Sequence, residues 1–277
     1  MSVEADPPAA RGRRSGGRAA RKALRAAPLA ENMRPVRPGL PGGKFKPLSD
    51  AEVLRIHEAA LQALEEIGLS QAPPSGVAAM VAAGANQGDD GRLRFPRALV
   101  EDMLAKAARG ITLMGRDPSH DLHLSGTNVH FGTAGAAVHM VDLENDDYRE
   151  STTADLYAAA RIVQNLDNVH FFQRPMVCRD IVDNFDMDIN TIFAACAGTT
   201  KHIGTSFSDP SHVAGCFDLL HMIAGGEEAW LARPFVSNTN CFVVPPMKFA
   251  EESCVVMEDC IRRGMPVLLL SAGQAGA

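Results

Sequence analysis

Three things are missing from this 277-residue sequence, and each absence excludes a class of protein. No apolar run approaches the roughly 18 residues that a membrane-spanning helix needs; the densest, Pro266 to Leu270, is the length of a buried strand. Cys178, Cys196, Cys216, Cys241, Cys254 and Cys260 form no C-x-x-C pair, so neither a disulfide framework nor a zinc site is indicated. Buried free thiols in a reducing compartment are the reading, with the cytoplasm as the default. No strand is followed by G-x-G-x-x-G, and Gly132-Thr-Ala-Gly135 has the wrong spacing for a dinucleotide fingerprint. What remains, 46% hydrophobic and 22% charged, describes an ordinary globular chain.

The charge is unevenly spread. Residues 1–46 carry eleven Lys and Arg against Glu4, Asp6 and Glu31, which leaves 16 basic and 30 acidic residues, a net of −14, on 47–277. A basic segment of Pro, Gly and Ala with few large apolar side chains cannot offset its ordering entropy, so a disordered tail is predicted over 1–46. Such a tail serves either as an arm for an acidic partner or as a solvated extension of an acidic body. No apolar h-region follows the basic stretch, so no secretory signal is expected; the Arg- and Ala-rich composition suits a mitochondrial transit peptide, against which Glu4 and Asp6 stand.

Ordered structure is expected from Ser49. Ser49 and Glu52 form a capping box, and Val53, Ile56, Ala60, Leu64 and Ile67 recur at helical spacing up to Gly68. Beyond Pro73-Pro74 a short helix near 75–83 leads to the turn Asp89-Asp90-Gly91. Arg92 to Phe95 reads as a strand, Pro96 opens a helix to about Ala108, and Ile111 to Met114 is a second strand. Residues 47–127 therefore read as a small α+β cap.

From Asn128 the pattern becomes regular. Asn128-Val-His-Phe-Gly reads as a strand, Ala137 to Asp142 as its returning hairpin, and Thr152 with Asp155 as the cap of a helix through Leu166. Further strands open at Asn168, Lys201, Pro234 and Pro266, with starts separated by 33, 33 and 32 residues. The intervening helices carry Ile189, Ile192, Phe193 and Cys196; Val213, Cys216, Phe217 and Leu220; and Phe249, Ser253, Val256, Met257 and Cys260 on one face. Strand and helix alternating at this period imply a parallel α/β sheet. A (β/α)8 TIM barrel is favoured over a doubly wound sheet, with about five strands present in 128–277. Eight are needed, and the sequence stops at Gly276-Ala277 directly after a strand, so the barrel is expected to be incomplete.

In parallel α/β architectures chemistry sits at the carboxyl ends of the strands. Those ends read Thr133-Ala-Gly135, Gln173-Arg174-Pro175, Ser206-Phe-Ser208, Asn238-Thr-Asn240 and Ser271-Ala-Gly273-Gln274. Thr133, Gln173, Arg174, Ser206, Phe207, Asn238, Asn240, Ser271 and Gln274 are the candidate substrate-binding residues. Amides, hydroxyls and an aromatic ring position a substrate, whereas general acid–base work wants a poised His, Asp or Glu; no catalytic residue is assigned. Such a mouth suits chemistry carried by a cofactor. Arg174 is placed to hold an anion or to pair with Asp180 or Asp183. Phe171, Phe172, Phe207, Phe235 and Phe242 are core positions, of which one or two could wall a cation site. His120, His123, His130, His139, His170 and His202 cluster on or beside strands. His120 and His123, spaced H-x-x-H on an extended segment, point to opposite faces, and no metal site is assigned.

The segments NVHFGTAGAAVHMVD (128–142), YREST (148–152), NVHFFQRPMV (168–177), AGTTKHIGTSF (197–207), VSNTNCFVVPPMKF (236–249) and PVLLLSAGQAGA (266–277) resemble the trimethylamine methyltransferase (MttB-like) family of corrinoid-dependent methyltransferases. The resemblance runs from about residue 35 to the last residue. It implies a TIM barrel that moves a methyl group from a methylated amine, such as trimethylamine or glycine betaine, to the Co(I) form of a cognate corrinoid protein. The cobalamin would be presented by that partner, with none bound directly, no nucleic acid or membrane involved, and a homo-oligomer at full length. Family members run longer than this chain, and the archetypal trimethylamine enzyme carries pyrrolysine beyond the matched part, so no residue here corresponds to it. Many bacterial relatives lack pyrrolysine and use quaternary amines. The alternative expectation is a truncated, catalytically inactive fragment that at most binds ligand or partner; its exposed sheet edge would favour aggregation.

Overall fold

The computed structural model describes residues 45–142 and 144–271, together with the backbone of Leu40–Pro41 and Ala27. By its internal contacts the chain divides into two units, Met1–Pro35 and Val36–Ala277, and nearly all described residues belong to the second. The predicted tail falls mostly outside the described residues. No helix among the described residues is long and apolar enough to cross a membrane.

Strand β1 (Leu40–Pro41) precedes helix α1 (Asp50–Glu66), which starts where the capping box predicts. The Ser49 hydroxyl oxygen accepts from the Glu52 amide at 3.3 Å, and the Glu52 carboxylate accepts from the Ser49 amide at 2.8 Å. The helix buries a different face from the one its periodicity suggests. Leu61 is its buried residue and Leu64 is half-buried, while Val53, Ile56 and Ile67 are exposed. Glu58 of α1 pairs with Arg97, the first residue of the helix α3 described below, where the two helices meet.

Helix α2 (Pro74–Ala82), the antiparallel pair β2 (Asn86–Gln87) and β3 (Leu93–Arg94), helix α3 (Arg97–Lys106), and the antiparallel pair β4 (Gly110–Leu113) and β5 (Leu122–Ser125) complete the first region. Gly68 ends α1 at φ +69°, and a Cβ there would overlap the Leu93 carbonyl, which accepts from the Leu69 amide at 2.9 Å. His120 closes a 3-10 turn (Pro118–His120) and His123 lies in β5, so the H-x-x-H pair is not on one extended segment.

Strand β6 (Asn128–Val129) pairs antiparallel with β1 and is not the first strand of the parallel sheet. Residues beyond it run beside the next sheet strand through isolated parallel bridges, Gly132 to Phe171 and Ala137 to Met176. Gly132 permits this approach, because the Phe171 ring occupies the space a Cβ there would need. The predicted hairpin also has a different partner: β7 (His139–Val141) pairs with β8 (Tyr148–Glu150) rather than with β6. Arg149 of β8 donates to Asp155 at 2.7 and 2.8 Å, which ties this hairpin to the capped start of helix α4 (Thr153–Gln164).

The chain then winds strand and helix alternately. Strand β9 (Phe171–Gln173) leads to helix α5 (Asn184–Gly198), and β10 (His202–Thr205) to α6 (Val213–Ala224) and α7 (Glu227–Ala232). Strand β11 (Val236–Val244), with its short antiparallel neighbour β12 (Lys248–Phe249), precedes α8 (Glu251–Arg262) and β13 (Val267–Ser271). The order β9-β10-β11-β13 is parallel and sequential, so the observed architecture is mixed α/β with an open sheet. Four parallel ladder strands are seen against the five expected, and no closed barrel occurs among the described residues.

One face of this sheet and the helices make the main core. Phe172, Ile203 and Val236 lie in register across β9, β10 and β11 and pack with Leu156, Ala160, Ile192, Cys196, Cys216, Phe217 and Leu220. The four predicted α6 positions are fully buried, whereas Phe193 of α5 is exposed. Trp230 meets Phe217 and Phe235 edge-on and donates to the Arg263 carbonyl at 2.9 Å. Buried Lys201 donates to the Val163, Leu166 and Val169 carbonyls at 2.8, 2.8 and 2.6 Å, closing the end of α4. Strand β13, expected to be buried, exposes Leu268, Leu269 and Leu270 by 53, 55 and 38%. It pairs along one edge with β11, and no described strand covers the other.

Candidate functional site

Register decides which strand-end side chains can meet. In a parallel sheet, residues side by side in adjacent strands share a face, and successive residues alternate. Phe171–His202 and Gln173–Gly204–Ser237 therefore lie on one face, together with Thr239 two residues on. Thr205 and Asn238 share the opposite, helix-facing side with Val236 and Asn240. The nine candidates are consequently divided between two sides of the sheet.

On the first face, Gln173 extends its carboxamide across β10 and donates to Thr239 Oγ1 at 2.9 Å. Gly204 permits this, since a Cβ there would overlap the Gln173 carboxamide. Thr133 donates to the Gln173 carbonyl at 2.5 Å. Below them sits His202, whose Nδ1 lies 2.8 Å from the Met114 carbonyl oxygen and whose Nε2 lies 3.0 Å from Ser237 Oγ. A carbonyl only accepts, so Nδ1 carries the proton and Nε2 accepts from Ser237. Burial pushes this imidazole down to about 4, and it is neutral at pH 7.

On the helix side, a cavity of about 310 Å³ opens between the carboxyl ends of β10, β11 and β13 and the first turns of α8. It brings together the predicted Ser206, Phe207, Asn238 and Asn240 and adds Ser208, Pro210, Thr239, Cys241, Glu252, Ser253, Val256 and Leu270. Asn240 Nδ2 donates to the Ser253 carbonyl at 2.8 Å and to Asn238 Oδ1 at 3.2 Å. Asn238 Nδ2 and Asn240 Oδ1 are left with no hydrogen-bond partner, although the two residues are 1% and 4% exposed. Unpaired buried amide atoms are costly, and a bound ligand is one way to satisfy them.

Arg174 stands one residue beyond β9. Its amide donates to the Gly204 carbonyl at 2.9 Å, and its guanidinium donates to Ser206 Oγ at 3.0 Å. Neither Asp180 nor Asp183 pairs with it. Asp180 accepts from Thr153, and Asp183 caps α5, so both acids are occupied at helix starts. Burial lowers the Arg174 pKa below the ordinary guanidinium value, and the field of Asp188 acts against that lowering. Ser271 is exposed and donates to the Val243 carbonyl at 2.9 Å, away from the cavity lining. Gln274 lies outside the described residues.

The expectation of a mouth poor in acids is corrected in two places. Glu252, in the first turn of α8, lines the cavity. Asp188, buried in α5, accepts from the Ser208 amide at 2.9 Å, the Ser208 hydroxyl at 2.8 Å and His212 Nδ1 at 2.9 Å. This Asp–Ser–His cluster is no relay: Ser208 Oγ and His212 Nδ1 lie 3.3 Å apart but both converge on one carboxylate oxygen, so the ring does not stand between serine and acid. It fixes the loop after β10 that carries Ser206 and Phe207. A legible signal existed: Asp188 stands four and seven residues before Ile192 and Ala195, on the face the helix buries. No group of three or more His, Cys, Asp and Glu that could hold a metal ion occurs among the described residues. All six cysteines are free, and five are buried.

Comparison with known proteins gives a consistent answer. A family model described as trimethylamine methyltransferase (MTTB) matches residues 14–277. The chain is 28% identical over 238 residues to the trimethylamine methyltransferase MttB of Desulfitobacterium hafniense, covering 83% of this chain and 46% of that protein. It is 25% identical over 230 residues to MttB1 of Methanosarcina mazei, covering 81% and 46%. It is also 21% identical over 235 residues to the glycine betaine methyltransferase of Desulfitobacterium hafniense, covering 84% and 48%. The chain spans about half the length of the curated relatives it matches.

Proposed function

The chain belongs to the trimethylamine methyltransferase family, and from that premise we propose that it forms the donor-binding part of a (β/α)8 methyltransferase. In this reading the substrate is a methylated amine, and the acceptor is the Co(I) centre of a corrinoid carried by a cognate partner protein. The sequential order β9-β10-β11-β13, the bridges beside β9 and the open edge of β13 support a barrel. Residues 128–277 would form its wall, with 47–127 as the cap.

The observation that carries the reading is the strand-end cavity lined by amides, hydroxyls, one aromatic ring and Glu252. The amides and hydroxyls of the cavity suit a small amine, and the corrinoid is assigned to the partner on the strength of the family alone. When bound, that group supplies the nucleophile. This chain's own task is to hold the amine. A quaternary amine carries its positive charge already, so its leaving group needs no proton. Phe207 offers a ring face to the cationic methyl groups, worth roughly 0.5–2 kcal/mol. Asn238 and Asn240 fix orientation, and Asp188 holds the loop that carries Ser206 and Phe207.

The test is to mix the chain with reduced corrinoid protein and a panel of methylamines and betaines and to follow the visible spectrum of cobalt. Methylation of cobalt by one amine is expected; failure of every amine either to methylate cobalt or to bind overturns the proposal. A second reading, binding without turnover, is favoured by the exposed leucines of β13, which leave an apolar sheet edge without a described neighbour. Saturable amine binding with an unchanged cobalt spectrum would select it.

A further inference from the structure

A methylated ammonium leaves two atoms of the strand-end cavity unused. Asn238 and Asn240 both line it, at 1% and 4% exposed. Their orientations are fixed by what they touch. The Ser253 carbonyl only accepts, so the atom 2.8 Å from it is Asn240 Nδ2, and the atom this group reaches at 3.2 Å is Asn238 Oδ1. Both hydrogens of Asn240 Nδ2 are then spent. What remains is one donor group, Asn238 Nδ2, and one acceptor, Asn240 Oδ1, each buried and without a partner. Turning either amide over would set two like groups against each other, so no reassignment removes the mismatch.

The group that satisfies both atoms must accept and donate side by side. An ammonium has no lone pair for Asn238 Nδ2, and a carboxylate has no hydrogen for Asn240 Oδ1. A carboxamide has both, an oxygen beside an N–H. The apolar walls nearby, Phe207, Val256 and Leu270, suit the methylene arm that carries such a group. We infer that Asn238 and Asn240 together bind a carboxamide, as one amide pairs with another. Two sources share this chemistry: the amide-bearing side arms of a corrin ring, and a free small amide. The first rests on the corrinoid reading above, in which cobalt must reach an amine held at this mouth. The amide site itself rests only on the two orphaned atoms.

The test is the side-chain amide NMR spectrum of the isotope-labelled chain, titrated with propionamide, N,N-dimethylpropionamide and propionate. Propionamide is expected to shift the Asn238 resonance saturably. The dimethyl compound keeps the oxygen but has no N–H, and is expected to bind about fivefold weaker, the size of one neutral hydrogen bond. Propionate is expected to leave the resonance where it is. Asn238→Asp keeps the oxygen that Asn240 reaches and removes the donor, so it should abolish the propionamide response; if that variant does not fold, the three probes on the wild type decide alone. Equal binding of all three probes, or of none, overturns the inference and leaves ordered water as the partner of both atoms. Aquacobalamin, whose ring carries amides, and cobyrinic acid, in which carboxylic acids replace them, separate the sources. A shift of Asn238 by aquacobalamin and not by cobyrinic acid supports the corrin arms. Propionamide binding with no response to aquacobalamin overturns that source and supports the free amide. The methylated-amine reading is tested separately by the cobalt spectrum, so the two can fail independently.

Discussion

Acidification should destabilise this fold through one buried imidazole. His202 titrates near 6.5 in an unfolded chain and at about 4 in the folded protein. Between those values the unfolded state binds a proton that the folded state refuses, so stability falls as pH falls through that window and is fully present above it. At 1.36 kcal/mol per decade the whole window is worth roughly 3 kcal/mol, of which about 2 kcal/mol is lost between about pH 7 and pH 5. The cause is local. The ring is 1% exposed, Nδ1–H is committed to the Met114 carbonyl, and Nε2 accepts from Ser237, so a second proton finds no solvent. Urea unfolding of the wild type and of His202→Gln at about pH 7, 6 and 5 measures it. The variant is expected to be less stable throughout yet to lose about 2 kcal/mol less across the series. Buried His170, whose pKa is also lowered by burial, is present in both proteins and cancels in the comparison. Carboxylates held low by partners, such as Asp155 beside Arg149, fall away only at lower pH. Parallel curves for the two proteins would refute the assignment.

Two further predictions concern the packing around the site. Gly204→Ala should cost roughly 1–3 kcal/mol by driving the Gln173 carboxamide off β10 and away from Thr239. Gln173→Ala in the same chain should recover part of that loss, and thermal melts of the four-member cycle that add without coupling would show that the two residues do not collide. Thiol labelling of the native chain near pH 8 should modify half-buried Cys241 first. Cys196, Cys216 and Cys260, whose thiols burial pushes up to about 12, should stay unmodified until the chain unfolds; peptide mass spectrometry that finds Cys216 labelled as fast as Cys241 would contradict their burial.

Local signals in this sequence survive into the structure wherever the interacting residues are close along the chain. The Ser49–Glu52 and Thr152–Asp155 capping boxes form as written, because the bonds close within one turn. The Val213, Cys216, Phe217 and Leu220 face is buried as its spacing predicts, because α6 is covered along that whole stripe. The strands near 171, 202, 236 and 267 follow from their regular period. Where the partner is remote, the same signals mislead. The apolar stripe of α1 is exposed at Val53, Ile56 and Ile67, because which face of a helix is covered depends on neighbours remote in sequence. Asn128 pairs with Pro41 of β1 instead of joining the parallel sheet, a partner that no local pattern announces.

By itself the sequence determined the α/β winding, the helix starts, the free thiols and the family, all of which depend on residue type, period and short spacing. Tertiary structure alone decided the site. Register sent Gln173 and Thr239 to one face of the sheet and Asn238 and Asn240 to the other, since a side chain's face depends on strand pairing that no local pattern records. It also brought Glu252 to the mouth and Asp188 and His212 to the loop beside it, acids and a histidine absent from the strand ends along the chain. The two unpaired amide atoms on β11 are visible only there, because satisfaction of a hydrogen-bonding group is a property of its surroundings.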